Sequence, residues 1–355
     1  MNKKILSLFL ALALLFTLAA CGSHPPDPGS QGPSQPATPP LPSNVVACGV
    51  SPDMSPPQVL DIAVGTLNGN TGIAAAWLME QSAQGRTQDN YSFQIATAPD
   101  QVVSMLLSDQ VQIAALPTNV AAMLYNRSDG MIQLAAITAY GVLHILENGN
   151  EIHAIEDLRG RTIHTTGQGA NPEFILNHVL TRHGLTPGYD VQIEFHANEA
   201  LAAQMAAGQI TLSMMPEPMV QSVLAQNEHV RVALDMTDAW NAVGDGSSLV
   251  MSALVVRTDF AEQHPEAVHR FLDLLQTSIH EANTNPEEVG ALIAQFEIMP
   301  NPQIAARAIP GSNLTFLTGH DMEPTITGYF QVLLTAYPAA IGGALPSENF
   351  YFISP

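Results

Sequence analysis

From Val59 onward, short apolar runs alternate with stretches whose apolar residues recur at helical spacing. Residues 60–64, 93–96, 111–116 and 133–137 predict strands, and 72–84, 99–107 and 119–125 predict the helices between them. A second region repeats the scheme, with strands over 161–164, 191–195 and 210–215 and helices over 172–183 and 200–207. Serial strand and helix units of this size build parallel sheets covered by helices on both faces. The expected fold class is therefore α/β, with two lobes of parallel-rich sheet flanked by helices. After Trp240 the apolar run 249–256 predicts a strand returning toward the first lobe, and helices over 266–283, 287–296 and 325–337 complete the chain. Connections near 140–147 and 244–256 then form a hinge with a ligand cleft between the lobes. On this reading residues 58–140 with 250–355 make one lobe and 141–249 the other.

Sliding the chain on itself by 99 residues strengthens the two-lobe reading. Gln110-Val111-Gln112-Ile113 falls on Gln209-Ile210-Thr211-Leu212, Leu116-Pro117 on Met215-Pro216, and Val120 on Met219. Identities are few, and a shared α/β layout gives the same overlap without common ancestry.

The first 57 residues follow neither pattern. Lys3 and Lys4 precede the apolar run 5–18, and Leu18-Ala19-Ala20-Cys21 then resembles the bacterial lipoprotein cleavage box, in which the cysteine is lipidated and becomes the new N-terminus. Residues 1–20 are expected to be a signal peptide. Residues 21–57, rich in Pro, Gly, Ser and Gln, are expected to be a disordered linker behind the lipidated Cys21. Such a tether of about 35 residues reaches about 100 Å at ~3 Å per residue. Cys48 is then an unpaired bystander, and no intramolecular disulfide is needed.

Charge narrows the partners. The chain carries 11 Lys+Arg against 32 Asp+Glu, and both lysines lie in the signal segment. A body whose cations are scattered arginines lacks the clustered positive charge that nucleic acid requires. Lysine-dependent cofactor chemistry is excluded for the processed form.

Small molecules bind open parallel sheets beyond the carboxyl ends of the strands, where loops and helix starts offer free N–H groups. Four corners of that kind are legible. Asn70 and Thr71 stand in the Gly69-containing turn before the first helix, and Thr118 and Asn119 follow Pro117. Gly167, Gln168, Gly169 and Ala170 form a strand-to-helix loop, and Glu217 sits between Pro216 and Pro218, placed to accept from an amino-bearing ligand. Tyr140 and Trp240, near the two connections, are candidate walls for a planar ligand. A phosphate-binding P-loop and a dinucleotide fingerprint are incomplete. His-x-x-x-His, Cys-x-x-Cys and Gly-x-Ser-x-Gly spacings are absent, so neither a metal site nor a catalytic residue is expected. The twelve histidines, His164 and His196 among them, read as scattered surface or satisfied residues.

Gly69-Asn70-Thr71-Gly72, Leu116-Pro117-Thr118-Asn119-Val120-Ala121, Thr165-Thr166-Gly167-Gln168-Gly169-Ala170-Asn171-Pro172-Glu173, Pro216-Glu217-Pro218 and Ser247-Ser248-Leu249-Val250-Met251 together resemble the NMT1/THI5-like and SsuA-like solute-binding proteins of ABC importers. The resemblance implies a type II periplasmic-binding fold whose lobes close on a small-molecule solute such as a sulfonate, nitrate or a thiamine pyrimidine precursor. It also implies a monomer, tethered by its lipid outside the cell membrane, that delivers to an ABC permease and its ATPase without a cofactor of its own. Pyrimidine synthases in the same group use a lysine-bound cofactor, which a lysine-free body cannot hold. A ligand sensor of the same fold and a chorismate-dehydratase-like enzyme remain the alternatives, with Glu217 and Glu173 the general acids or bases that an enzyme would need.

Overall fold

The computed structural model describes residues 58–243 and 246–353. The expected signal peptide, Cys21, the linker and Cys48 lie outside the described residues, as does part of the turn after Trp240.

The first half runs β1 (Asp61–Leu67), α1 (Asn70–Ala83), β2 (Asn90–Ala96), α2 (Pro99–Leu107), β3 (Ile113–Pro117), α3 (Thr118–Arg127) and β4 (Ile132–Ala139). There follow β5 (Leu143–Asn148), β6 (Thr162–Thr165), α4 (Asn171–Arg182), β7 (Gln192–Phe195), α5 (Asn198–Ala206), β8 (Leu212–Pro216), α6 (Met219–Leu224), β9 (Val230–Asp235) and α7 (Met236–Ala242). The chain closes with β10 (Ser252–Arg257), α8 (Thr258–Gln263), α9 (Pro265–Thr284), α10 (Pro286–Gln295), α11 (Pro302–Gly311), β11 (Leu314–Leu317) and α12 (Met322–Ala336).

Two sheets result, ordered β11-β4-β10-β3-β1-β2 and β7-β6-β8-β5-β9. Written from the β2 and β7 edges, the orders β2-β1-β3-β10-β4 and β7-β6-β8-β5-β9 correspond strand for strand. In each, the fourth strand is the antiparallel one and arrives from the other half of the chain. The correspondence includes the ends of β3 and β8, which differ by 99 positions.

The expected α/β fold of two helix-flanked sheets stands, and within it β5, β10 and β11 run antiparallel to their neighbours. Two sequence expectations are corrected here. The first connection is shorter than 140–147, since Leu143–Asn148 is itself a strand between β8 and β9. The strand expected from Leu249 begins at Ser252. Elements that gave no expectation include β9 and β11, which are edge strands, and the short helices α7 and α8. Helix α11 also went unread, although Asn301 caps it by accepting from the Gln303 and Ile304 N–H groups at 2.9 and 3.0 Å, and an Asn-Pro start is a sequence signal.

Period-two alternation sorts each central strand between two cores. Ile113 and Ala115 of β3 pack with α1, α9 and α10, while Ala114 and Leu116 face the cluster that includes α3 and α12. Ile145 and Met214 face that same second cluster from the other sheet, so one continuous core runs under both sheets. Helix α12 belongs to both halves: the Tyr329 hydroxyl donates to Asn171 Oδ1 at 2.8 Å, and Tyr337 stacks on Phe174 at 4.3 Å. Trp240 is 1% exposed and lies between His178 and Tyr329.

Candidate functional site: a cleft between the two sheets

The carboxyl ends of β1, β3, β6 and β8 meet at one cavity of about 310 Å³, at the small end of the range of roughly 300–1,000 Å³ for small-molecule sites. Its walls come from Asn68, Asn70, Thr71, Pro117 and Asn119 of the first half and from Thr166, Gly167, Ala170, Asn171 and Asn198 of the second. Val142 and Met251, on the two connections, close the back.

Local sequence explains the shape. Gly69 (φ +96°) and Gly167 (φ +72°) take a left-handed backbone that a side chain would strain, and this turns the chain from strand end to helix start in the least space. Thr71 folds its hydroxyl back to accept from Leu67 N and donate to Leu67 O at 3.0 and 3.1 Å, locking the turn rather than facing a ligand.

Helices α1, α3, α4 and α5 all begin at the cavity, and none has a side chain capping its first turn. Each start carries a partial positive charge of about half a unit. Among the described residues, the lining contains no Asp, Glu, Lys, Arg or His, and no aromatic ring. Two buried polar atoms on it lack a protein partner: Asn70 Oδ1, an acceptor, and Asn171 Nδ2, a donor. Such atoms are costly unless a ligand or water meets them.

A family model described as NMT1/THI5 like matches residues 93–289. The chain belongs to the NMT1/THI5-like family.

No curated protein sequence matches this NMT1/THI5-like chain. Among solved structures, an ABC transporter protein from Parabacteroides distasonis is 22% identical, covers 83% of this chain and 99% of its own, and superposes with a TM-score of 0.69. The periplasmic aliphatic sulphonate-binding protein SsuA of Escherichia coli is 15% identical over 82% of this chain and 92% of its own, TM-score 0.66. The alkanesulfonate-binding SsuA of Xanthomonas axonopodis pv. citri, solved with MOPS, is 14% identical over 81% and 94%, TM-score 0.60. The fold is that of type II periplasmic-binding proteins.

Five of the ten residues nominated from sequence line the cavity: Asn70, Thr71, Asn119, Gly167 and Ala170. The other five stand elsewhere. Thr118 is fully buried behind the lining, and Tyr140 faces a different depression beside Asn313. Gln168 and Gly169 are outside the lining, and the Gly169 N–H donates to Glu173 Oε2. Glu217 turns away toward α11, where it packs on Gly311 and accepts from Gln221 Nε2 at 2.9 Å. Burial pushes its carboxyl up to about 7. His144, next along β5 from the lining residue Leu143, is held below the ordinary imidazole range by burial, with Asp235 3.7 Å away opposing.

Asn171 and Met251 stood in quoted sequence motifs without being nominated as site residues, and Asn198 and Val142 were missed. Asn171 and Asn198 open helices just as Asn70 does, and that shared feature was the available signal. Residue 142 carried none, and the place of both 142 and 251 depends on how the connections cross.

Proposed function

We propose that this protein is an extracytoplasmic solute-binding lipoprotein, anchored through Cys21, which captures a small organic solute between its two sheets and delivers it to an ABC permease with its ATPase. The supporting observation is a cavity walled by both halves of the chain, without a titratable side chain and surrounded by four uncapped helix starts. A pocket without a proton donor or acceptor near neutral pH is built to bind and release rather than to transform. Two connections between the halves allow closure, and the solute favours the closed form by touching both walls.

The same lining selects a solute class. Helix starts with no fixed cation favour a neutral or singly charged oxyanionic head and disfavour a cation. Leu67, Val142 and Met251 suit a short apolar body, and the lack of an aromatic wall disfavours a stacked pyrimidine. A short alkanesulfonate meets these demands, and the names of the two SsuA neighbours point the same way.

A thermal-shift screen of short alkanesulfonates, nitrate, thiamine pyrimidine precursors and amino acids tests this reading. Binding to the native state alone raises the melting temperature, and an alkanesulfonate is expected to do so. Stabilisation by a pyrimidine alone would transfer the site to that class, and turnover of any bound compound would overturn the binding role.

A further inference from the structure

Beyond the cleft, three side chains from the ends of two paired strands meet on one face of the second sheet. Strands β6 and β7 pair in parallel with His164 opposite Glu194, so both side chains leave the same face. His196, two positions beyond Glu194, returns to that face because its N–H donates to Thr165 O at 2.8 Å and continues the ladder past Phe195. His164 Nδ1 lies 3.0 Å from His196 Nε2 and 3.4 Å from Glu194 Oε2. One ligand atom from each of the three lies within 4.8 Å of the others.

We propose that His164, Glu194 and His196 form a divalent transition-metal site of the Zn²⁺ class. Metal–ligand bonds of about 2.0–2.1 Å in tetrahedral arrangement place donor atoms about 3.3 Å apart, close to the 3.0 and 3.4 Å that separate His164 from His196 and Glu194. Two imidazoles with one carboxylate suit Zn²⁺ and its neighbours in the first transition row and disfavour Mg²⁺ and Ca²⁺, which prefer all-oxygen shells. Three protein ligands leave a position for water. Glu194 is 60% exposed, so an ion enters directly from solvent, and the formal charge of −21 favours its approach. On the other side of His164 its register partner Ser213 is fully buried, with a hydroxyl that meets no partner among the described residues.

The position gives the site a link to the cleft without making it part of the lining. Strand β6 runs on into Thr166 and Gly167, and His196 precedes Asn198 by two residues; all three lead into cavity walls. An ion held there ties together the ends of two strands that carry those walls. This assignment stands whether or not the cleft binds a sulfonate.

Isothermal titration of the full chain with ZnCl₂ in a non-chelating buffer, alongside His164→Ala, His196→Ala and Glu194→Gln, tests it. One ion per chain is expected, with a dissociation constant on the order of micromolar that rises at least about tenfold in either histidine variant. Cu²⁺ loading adds a structural readout: nitrogen superhyperfine couplings from two imidazoles in the parent and from one in His196→Ala. His196→Asn serves should the alanine variant fail to fold. Absence of binding, or a stoichiometry and affinity unchanged in both histidine variants, overturns the site.

Discussion

The Thr118 hydroxyl donates to the main-chain carbonyl of Val250 at 2.6 Å, tying the start of α3 to the second connection between the sheets. Both ends of this bond are buried. Thr118→Val keeps the shape and removes the donor, so it is expected to cost about 1–3 kcal/mol. At about 1.5–2 °C per kcal/mol for a body of about 300 residues, differential scanning calorimetry resolves that loss. Solute affinity is expected to fall little, since the hydroxyl does not reach the cavity. A large loss of affinity with an unchanged melting temperature would return Thr118 to the ligand contacts.

Asn171 divides its two polar atoms between structure and site. Oδ1 accepts from Tyr329, while Nδ2 on the cavity wall has no partner among the described residues. Asn171→Asp removes the donor and adds a negative charge beside the helix starts. Binding of an anionic solute should weaken at least about tenfold in titration calorimetry, because a lost charge-assisted bond is worth roughly 1.5–3 kcal/mol. A neutral solute would lose less, so comparing the two reads the charge of the natural ligand.

Glu217 predicts a pH dependence of stability. Its carboxyl stands at about 7 in the fold against an ordinary 4.5, so between these values the folded protein holds a proton that the unfolded chain releases. Stability therefore falls as pH rises from 4.5 to 7. Glu217→Gln is neutral throughout and nearly the same shape. It should gain on the order of 1–3 kcal/mol over the parent at pH 8 and nothing at pH 4.5. Parallel melting curves for the two proteins across this range would refute the burial argument.

Cys21 carries the proposed anchor. Cys21→Ser leaves the export segment intact and removes the thiol that takes the lipid, so the protein should move from the membrane fraction to the soluble extracytoplasmic fraction. Incorporation of labelled palmitate should vanish with it. Unchanged fractionation of the serine variant would remove the lipoprotein part of the function.

The described residues show where sequence reasoning succeeds. Strands such as β3 are covered on both faces, so their apolar runs are continuous and announce themselves. Helix α2 was placed to the residue because Pro99 opens it and its core face repeats at helical spacing. β9 and β11, short and half-buried at sheet edges, have too little buried surface to impose a pattern. β5 has such a pattern, but its meaning depends on which sheet receives it.

The candidate cleft divides the same way. Sequence alone determined that the body is α/β, that its corners lie at glycine and asparagine turns before helices, and that acidic side chains outnumber basic ones by 32 to 11. These follow from local backbone freedom, periodicity and charge, all of which are properties of neighbouring residues. Tertiary structure decided that Thr118 and Glu217 face inward, that Asn171 and Asn198 share the cavity with Asn70, and that His164 meets Glu194 and His196. Each of those depends on the register of one strand against another, and register is set by the whole core rather than by any one segment.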